Sequence, residues 1–264
     1  MSTFLYGAHV HANGIRQHYL RYGGHGPVLI LIPGITSPAI TWGFVAERLG
    51  EKYDVYVLDV RGRGLSSSGP ELAYDAETCA QDVNAFAAAL NLASYALLGH
   101  SMGARFALRA AVLQPAGVRR LVLVDPPVSG PGRRAYPGQW PWYADSIRQS
   151  LPGMSAEQMR AFCPTWSEEQ RRLRAEWLHT CYEPAIQRAY DDFHQVDSHR
   201  DYPLLAMPTL LMAAGKGGVI QPEDRAEIRA LQPEIAIVEV ENAGHMIPWD
   251  DFDGFFRALG DFLD

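Results

Sequence analysis

A single α/β unit built on a mostly parallel, doubly wound sheet is the fold class predicted for this 264-residue chain, and three observations carry the prediction. Aliphatic and β-branched runs at Val28–Ile32, Val55–Val60, Tyr95–Leu98, Arg120–Val124 and Thr209–Ala214 alternate with helical segments, the order that builds βαβ units. The runs are apolar almost throughout rather than alternating, as strands covered on both faces must be. At 47% apolar and 20% charged residues, the composition supports a sizeable core, and no Gly/Ser/Pro linker divides the chain.

In chain order, residues 4–11 and 15–22 alternate and meet at Asn13-Gly14, two residues that tolerate positive φ, which predicts an antiparallel hairpin at one edge. Val28–Ile32 opens the parallel sheet. It runs into Pro33-Gly34-Ile35-Thr36-Ser37 and a helix around Trp42–Leu49. The strand Val55–Val60 leads into Asp59-Val60-Arg61-Gly62-Arg63-Gly64-Leu65-Ser66, and a helix over Asp75–Leu90 precedes the Tyr95 strand. After Asp125-Pro126-Pro127 the strand signals stop until Tyr202. Capping boxes at Ser155-x-x-Gln158 and Ser167-x-x-Gln170 start helices there, so 128–202 is expected to be a helical insertion. Four of the six tryptophans, Trp140, Trp142, Trp166 and Trp177, fall within it and are expected to wall an apolar pocket; the plainer reading is that each belongs to the insertion's own core. The strands Thr209–Ala214 and Ile235–Val240, separated by a helix near Pro222–Ala230, and a terminal amphipathic helix complete the chain.

The net charge of −7 and pI near 5.7 argue against nucleic acid or an anionic membrane surface as partner and leave a small molecule as the expected one. Cys79, Cys163 and Cys181 are odd in number and widely spaced, which signals neither a disulfide framework nor a zinc site. The first basic residue is Arg16 and no apolar run nears a membrane span, so a cytoplasmic location is expected. Nothing in the chain specifies an oligomeric state.

The chemistry centres on Gly99-His100-Ser101-Met102-Gly103. A glycine-rich turn would explain the pattern alone, but here a buried strand runs into it and the helical stretch from Phe106 to Leu113 leaves it. Such a strand-turn-helix lifts a serine hydroxyl above the sheet edge, where a base can reach it, and makes Ser101 the candidate nucleophile. The backbone N–H of Met102, behind Ser101, and that of Ile35, in the loop after the first parallel strand, are the candidate oxyanion donors. Of nine histidines, only His245 follows a late strand in a Gly-His loop.

Together the Asp59–Ser66 stretch, the elbow and Asn242-Ala243-Gly244-His245 resemble the α/β-hydrolase superfamily over the whole chain. The resemblance implies a core of 1–127 and 203–264 carrying a cap at 128–202, with His245 as general base. In that family the acid most often follows the strand that here is Thr209–Ala214, but Gly218 stands where the carboxylate is expected. Asp125, at the end of the preceding strand, is the alternative; Glu223 and Asp224 compete, although acidic residues at a helix start are ordinary stabilisers.

Within the superfamily the chain most resembles hydrolases that remove an N-formyl group from a small organic acid. That implies a formyl-serine intermediate without metal or organic cofactor, and a cation for the substrate's carboxylate. Arg105, Arg133, Arg134, Arg188 and Lys216 are candidates by position, and Trp140, Trp142, Trp166 and Arg105 are the expected substrate-binding residues. Another cap-gated serine hydrolase (a carboxylesterase, lactonase or carbon–carbon bond hydrolase) would share these motifs, and a non-catalytic ligand-binding module is the reading from a different class. Serine rather than aspartate at 101 argues against haloalkane-dehalogenase or epoxide-hydrolase chemistry.

Overall fold

The computed structural model describes residues 1–264. Its strands are Phe4–Ala12 (β1), Ile15–Tyr22 (β2), Val28–Ile32 (β3), Asp54–Leu58 (β4), Tyr95–His100 (β5), Val118–Val124 (β6), Thr209–Ala214 (β7) and Ala236–Val240 (β8). They form one sheet in the order β1-β2-β4-β3-β5-β6-β7-β8. β1 and β2 pair antiparallel, as do β2 and β4, and every other pairing is parallel. The hairpin turns at Asn13 and Gly14, with φ of 46° and 74°.

Helices Gly43–Leu49 (α1), Ala76–Ala89 (α2) and Met102–Leu113 (α3) connect the first parallel strands. Between β6 and β7 lie Trp140–Ser150 (α4), Ala156–Met159 (α5), Glu168–Trp177 (α6) and Glu183–Gln195 (α7), and both expected capping boxes form. Pro222–Leu231 (α8) joins β7 to β8; Ile247–Asp250 (α9) and Phe252–Leu259 (α10) end the chain. The single terminal helix expected from sequence is thus two, because Asp251 turns the chain and caps α10 through Gly254 N–H at 2.8 Å. β4 stops before the expected Val60: the Asp59 N–H still donates to the His18 carbonyl of β2 at 3.0 Å, but its carboxylate takes the N–H groups of Ala39 (2.6 Å) and Leu65 (3.0 Å) and the chain turns off into the loop there.

Strand residues alternate between two apolar layers, as the pleat requires. Leu29, Leu31, Val55, Val57, Val122 and Val124 face α1 and α10, while Ile30, Ile32, Leu97, Leu121 and Leu123 face α2 and α3. The second layer continues without a break into Tyr143, Ile147, Leu178, Ile186 and Phe193 of the inserted helices. The insertion therefore buries its apolar side against the sheet's own helix layer. No helix is long and apolar enough to cross a membrane.

Candidate active site

β5 ends at His100 and α3 starts at Met102, so Ser101 alone makes the turn, with φ 53° and ψ −120°. Such a conformation costs a non-glycine residue on the order of 1–3 kcal/mol and persists only where the surroundings enforce it. Here the Ser101 N–H is tied to the Val124 carbonyl at 2.9 Å, and α3 lies hard against the strands. A Cβ on Gly99 would come within 2.3 Å of the Gly103 carbonyl oxygen, and one on Gly103 within 2.1 Å of that of Ile32. Glycine at both positions lets helix and strand close to this distance.

Parallel register brings the ends of β5, β6 and β7 to one edge, since His100 pairs with Val124 and Val124 with Met212. There Ser101 Oγ lies 3.0 Å from His245 Nε2, and His245 Nδ1 lies 2.7 Å from Asp125 Oδ2. A carboxylate only accepts, so Nδ1 carries the proton and Nε2 is left free to take one from the serine hydroxyl. Asp125 is fully buried at φ 45°, and its carboxylate also accepts the N–H groups of Ala214 and Val219, each at 3.2 Å. Asp224 instead receives the Gln221 N–H at 2.7 Å and pairs with Arg134, while Glu223 sits in the first turn of α8; neither meets His245.

The N–H groups of Ile35 and Met102 have no acceptor within the protein. The loop holding Ile35 is pinned from beneath by Arg63, fully buried, whose Nε donates to the Ile35 carbonyl at 2.9 Å and whose Nη2 lies 3.2 Å from Met102 Sδ. Burial without a carboxylate beside it pulls the Arg63 pKa below the ordinary arginine value. Elsewhere Asp59 and Arg61 have structural partners: His18 Nδ1 at 2.7 Å, and a bidentate pair with Asp82 at 2.6 Å.

A cavity of about 200 Å³ opens over Ser101 and His245, walled by Trp142, Tyr143, Phe162 and Trp166 and by Arg174. Of the expected substrate-binding residues, Trp142 and Trp166 line it; Trp140 and Arg105 do not. Trp140, at the start of α4, packs on Tyr190 with ring centroids 5.7 Å apart. Arg105 turns to the end of α7, where it donates to the carbonyls of Phe193 (3.4 Å) and Val196 (2.5 Å), to that of Asp192 (3.2 Å), which also takes the Val196 N–H, and to that of Ser129 (3.5 Å). The other expected cations are also elsewhere. Arg133 pairs with Glu227, Arg134 with Asp224 and Arg188 with Asp192, and Lys216 is not in the wall.

Arg174 was not among the cations expected from sequence, because Arg171-Arg172-x-Arg174 reads as the solvated face of a charged helix. A signal was nevertheless present. Arg171, Arg174, Ala175 and Leu178 recur at helical spacing, and the two arginines fall on the face those apolar residues bury.

Residues 27–252 match the family model described as alpha/beta hydrolase fold. The chain is 71% identical to N-formylmaleamate deformylase of Pseudomonas putida strain KT2440 over all of this chain and 98% of that protein. A crystal structure of the N-formylmaleamic acid deformylase of Pseudomonas putida S16 superposes with a TM-score of 0.93 at 54% identity, covering 97% of this chain and 100% of that one. E-2-(acetamidomethylene)succinate hydrolase shares the fold at TM-score 0.80 and 22% identity, over 99% of each chain. With the serine elbow, the buried aspartate and the histidine loop all on the sheet's carboxyl edge, the chain belongs to the α/β-hydrolase fold family.

Proposed function

We propose that this chain is a serine hydrolase that cleaves N-formylmaleamate to maleamate and formate, with Ser101, His245 and Asp125 as its catalytic residues. The observation that carries the reading is the Ser101–His245–Asp125 hydrogen-bonded series beside two unpaired N–H groups, in a chain 71% identical end to end to a deformylase of that substrate.

His245 Nε2 takes the hydroxyl proton as Ser101 Oγ bonds to the formyl carbon, and the N–H groups of Ile35 and Met102 hold the oxyanion that forms. The nitrogen sits between two acyl groups and so leaves more readily than that of a simple amide; His245 returns the proton to it and maleamate departs. Water then gives a proton to His245 as its oxygen attacks formyl-Ser101, and the same proton goes back to Ser101 as formate leaves. Residues 128–202 act as the cap over this site, supported by the cavity walls that α4, α6 and their connecting segments contribute. A cytoplasmic location fits three buried, unpaired cysteines.

Formate release measured across N-formylmaleamate, simple formamides and short-chain esters tests the reading. A clear preference for N-formylmaleamate is expected; equal or better turnover of the esters would replace it with an esterase.

A further inference from the structure

The cavity over Ser101 contains one arginine or lysine side chain and no carboxylate. That residue, Arg174, is 4% exposed and has no acidic group within ion-pair distance, whereas Arg133, Arg134, Arg148, Arg172 and Arg188 of the inserted segment are paired; Arg171, also buried and without a carboxylate, spends its donors on the carbonyls of Ala156 and Trp166 and does not line the cavity. Two of its five N–H groups are used: Nη1 donates to the Thr36 carbonyl at 3.2 Å and Nη2 to Thr36 Oγ1 at 3.0 Å. Its Nε is buried and unpartnered. The guanidinium carbon lies over the rings of Trp142 and Trp166, 5.4 and 5.7 Å from their centroids, an arrangement that steadies a cation without neutralising it. A buried, unpaired charge is costly, and spare donors beside the nucleophile give it an anion to meet.

We infer that Arg174 binds the carboxylate of the substrate and is the residue that makes the site prefer short amides bearing one. Thr36, which it grips, directly follows Ile35, so the cation stands one residue from the proposed oxyanion donor. In N-formylmaleamate the carboxylate is only a few bonds from the formyl carbon and is folded back by the cis double bond, which suits so short a separation. The inference rests on the deformylase reading above, and its test is arranged so that the two fail separately.

Wild type, Arg174→Lys and Arg174→Gln are compared on N-formylmaleamate and on (Z)-N-formylcrotonamide, its neutral counterpart with methyl in place of carboxylate. Thermal unfolding and fluorophosphonate labelling of Ser101 report whether each variant is folded and its nucleophile competent. For Arg174→Gln, kcat/KM on the carboxylate substrate should fall on the order of 10²–10³-fold, mostly through KM, and on the neutral one by far less. Arg174→Lys should lie between and serves as the deciding variant if the glutamine protein does not fold. Equal losses on both substrates would show that Arg174 only braces Thr36 and would overturn the inference. Absence of formate release by the wild type would instead overturn the deformylase reading. Arg174 is then judged by whether maleate protects Ser101 from labelling in the wild type but not in Arg174→Gln; protection that is equal in both counts against it.

Discussion

The side chain that Gly218 lacks would occupy the place of the Asp125 carboxylate: a Cβ there would lie 2.8 Å from Asp125 Oδ2 and 2.9 Å from Oδ1. The two positions follow neighbouring parallel strands, β6 and β7, and only one of them has room for an acid. Glycine at 218 and aspartate at 125 are therefore a matched pair, and the apparent gap after β7 is the space into which the Asp125 carboxylate projects.

Replacing Asp125 by asparagine keeps the shape but offers His245 Nδ1 a group that can donate, which favours the wrong tautomer. The expected loss in kcat is about 10⁴-fold, by analogy with other triads. Asp224→Asn should change kcat little, since its partners are the Gln221 N–H and Arg134. Steady-state kinetics on the two variants reads the difference, and a collapse in Asp224→Asn with survival of Asp125→Asn would reassign the acid.

Ser101→Ala should lower kcat by several orders of magnitude and abolish fluorophosphonate labelling while the protein stays folded, because serine and histidine act as a unit. Removing a side chain from a backbone at φ 53° leaves the strain in place, so unfolding free energy should shift by less than about 1 kcal/mol. Near-normal turnover in the folded variant would refute the mechanism.

Much of this fold and site is legible in the sequence. Strands buried on both faces announce themselves by uninterrupted aliphatic runs, and both β3 and β7 begin and end where sequence placed them. The elbow was legible because Gly99 and Gly103 answer to a local steric demand. Arg105 and Arg174 were not. Each is a charged residue on a helix, and which of them faces the cavity depends on the packing of α3 and α6 against distant elements. A helix end with spare carbonyls drew Arg105 away, and two tryptophans and Thr36 drew Arg174 in.

For Arg105 the expectation is now structural. Arg105→Ala would take the donor from the Phe193 and Val196 carbonyls at the end of α7, while the Asp192 carbonyl keeps the Val196 N–H, at a cost of roughly 1–3 kcal/mol. Urea titration should show a lower midpoint. At a temperature where the variant is folded, KM should stay within about twofold of wild type, as a residue outside the cavity wall implies. A large rise in KM would return Arg105 to the substrate site.

His100 precedes Ser101 in the elbow and is buried, with Nε2 on the His245 carbonyl at 3.0 Å and Nδ1 unpartnered. Burial first, then the charge on His245, lowers its pKa to about 3. The unfolded chain takes up a proton near pH 6.5 that the folded chain refuses until about pH 3, so the neutral ring's contribution is complete above pH 6.5 and is lost as pH falls between those values. The slope approaches about 1.4 kcal/mol per pH unit. His100→Gln removes the titration and keeps a donor, so the stability difference between wild type and variant should shrink between pH 7 and 5. His199, also lowered by burial, is common to both proteins and cancels. A difference that stays constant with pH would mean that His100 is not held neutral.

The pairing of positions 125 and 218 can be reversed. Gly218→Asp alone should be inactive and destabilised, since its Cβ would meet the Asp125 carboxylate and come within 2.6 Å of Ala214 Cβ. Asp125→Gly alone should lose activity about as Asp125→Asn does, while relieving the φ of 45° that aspartate tolerates there. In the double variant, Asp125→Gly with Gly218→Asp, the first obstacle is gone and the new carboxylate starts from the strand beside the old one, within reach of His245 Nδ1. Recovery should be partial, because the contact with Ala214 still pushes the loop outward; adding Ala214→Gly should raise it further. We expect kcat of the double variant to exceed that of Asp125→Gly on the order of 10-fold or more, a modest return on the roughly 10⁴-fold that a well-placed acid supplies. If kcat in the double and triple variants is no higher than in Asp125→Gly, the two strand ends do not address the same imidazole nitrogen, and Gly218 is glycine for a reason other than making room for Asp125.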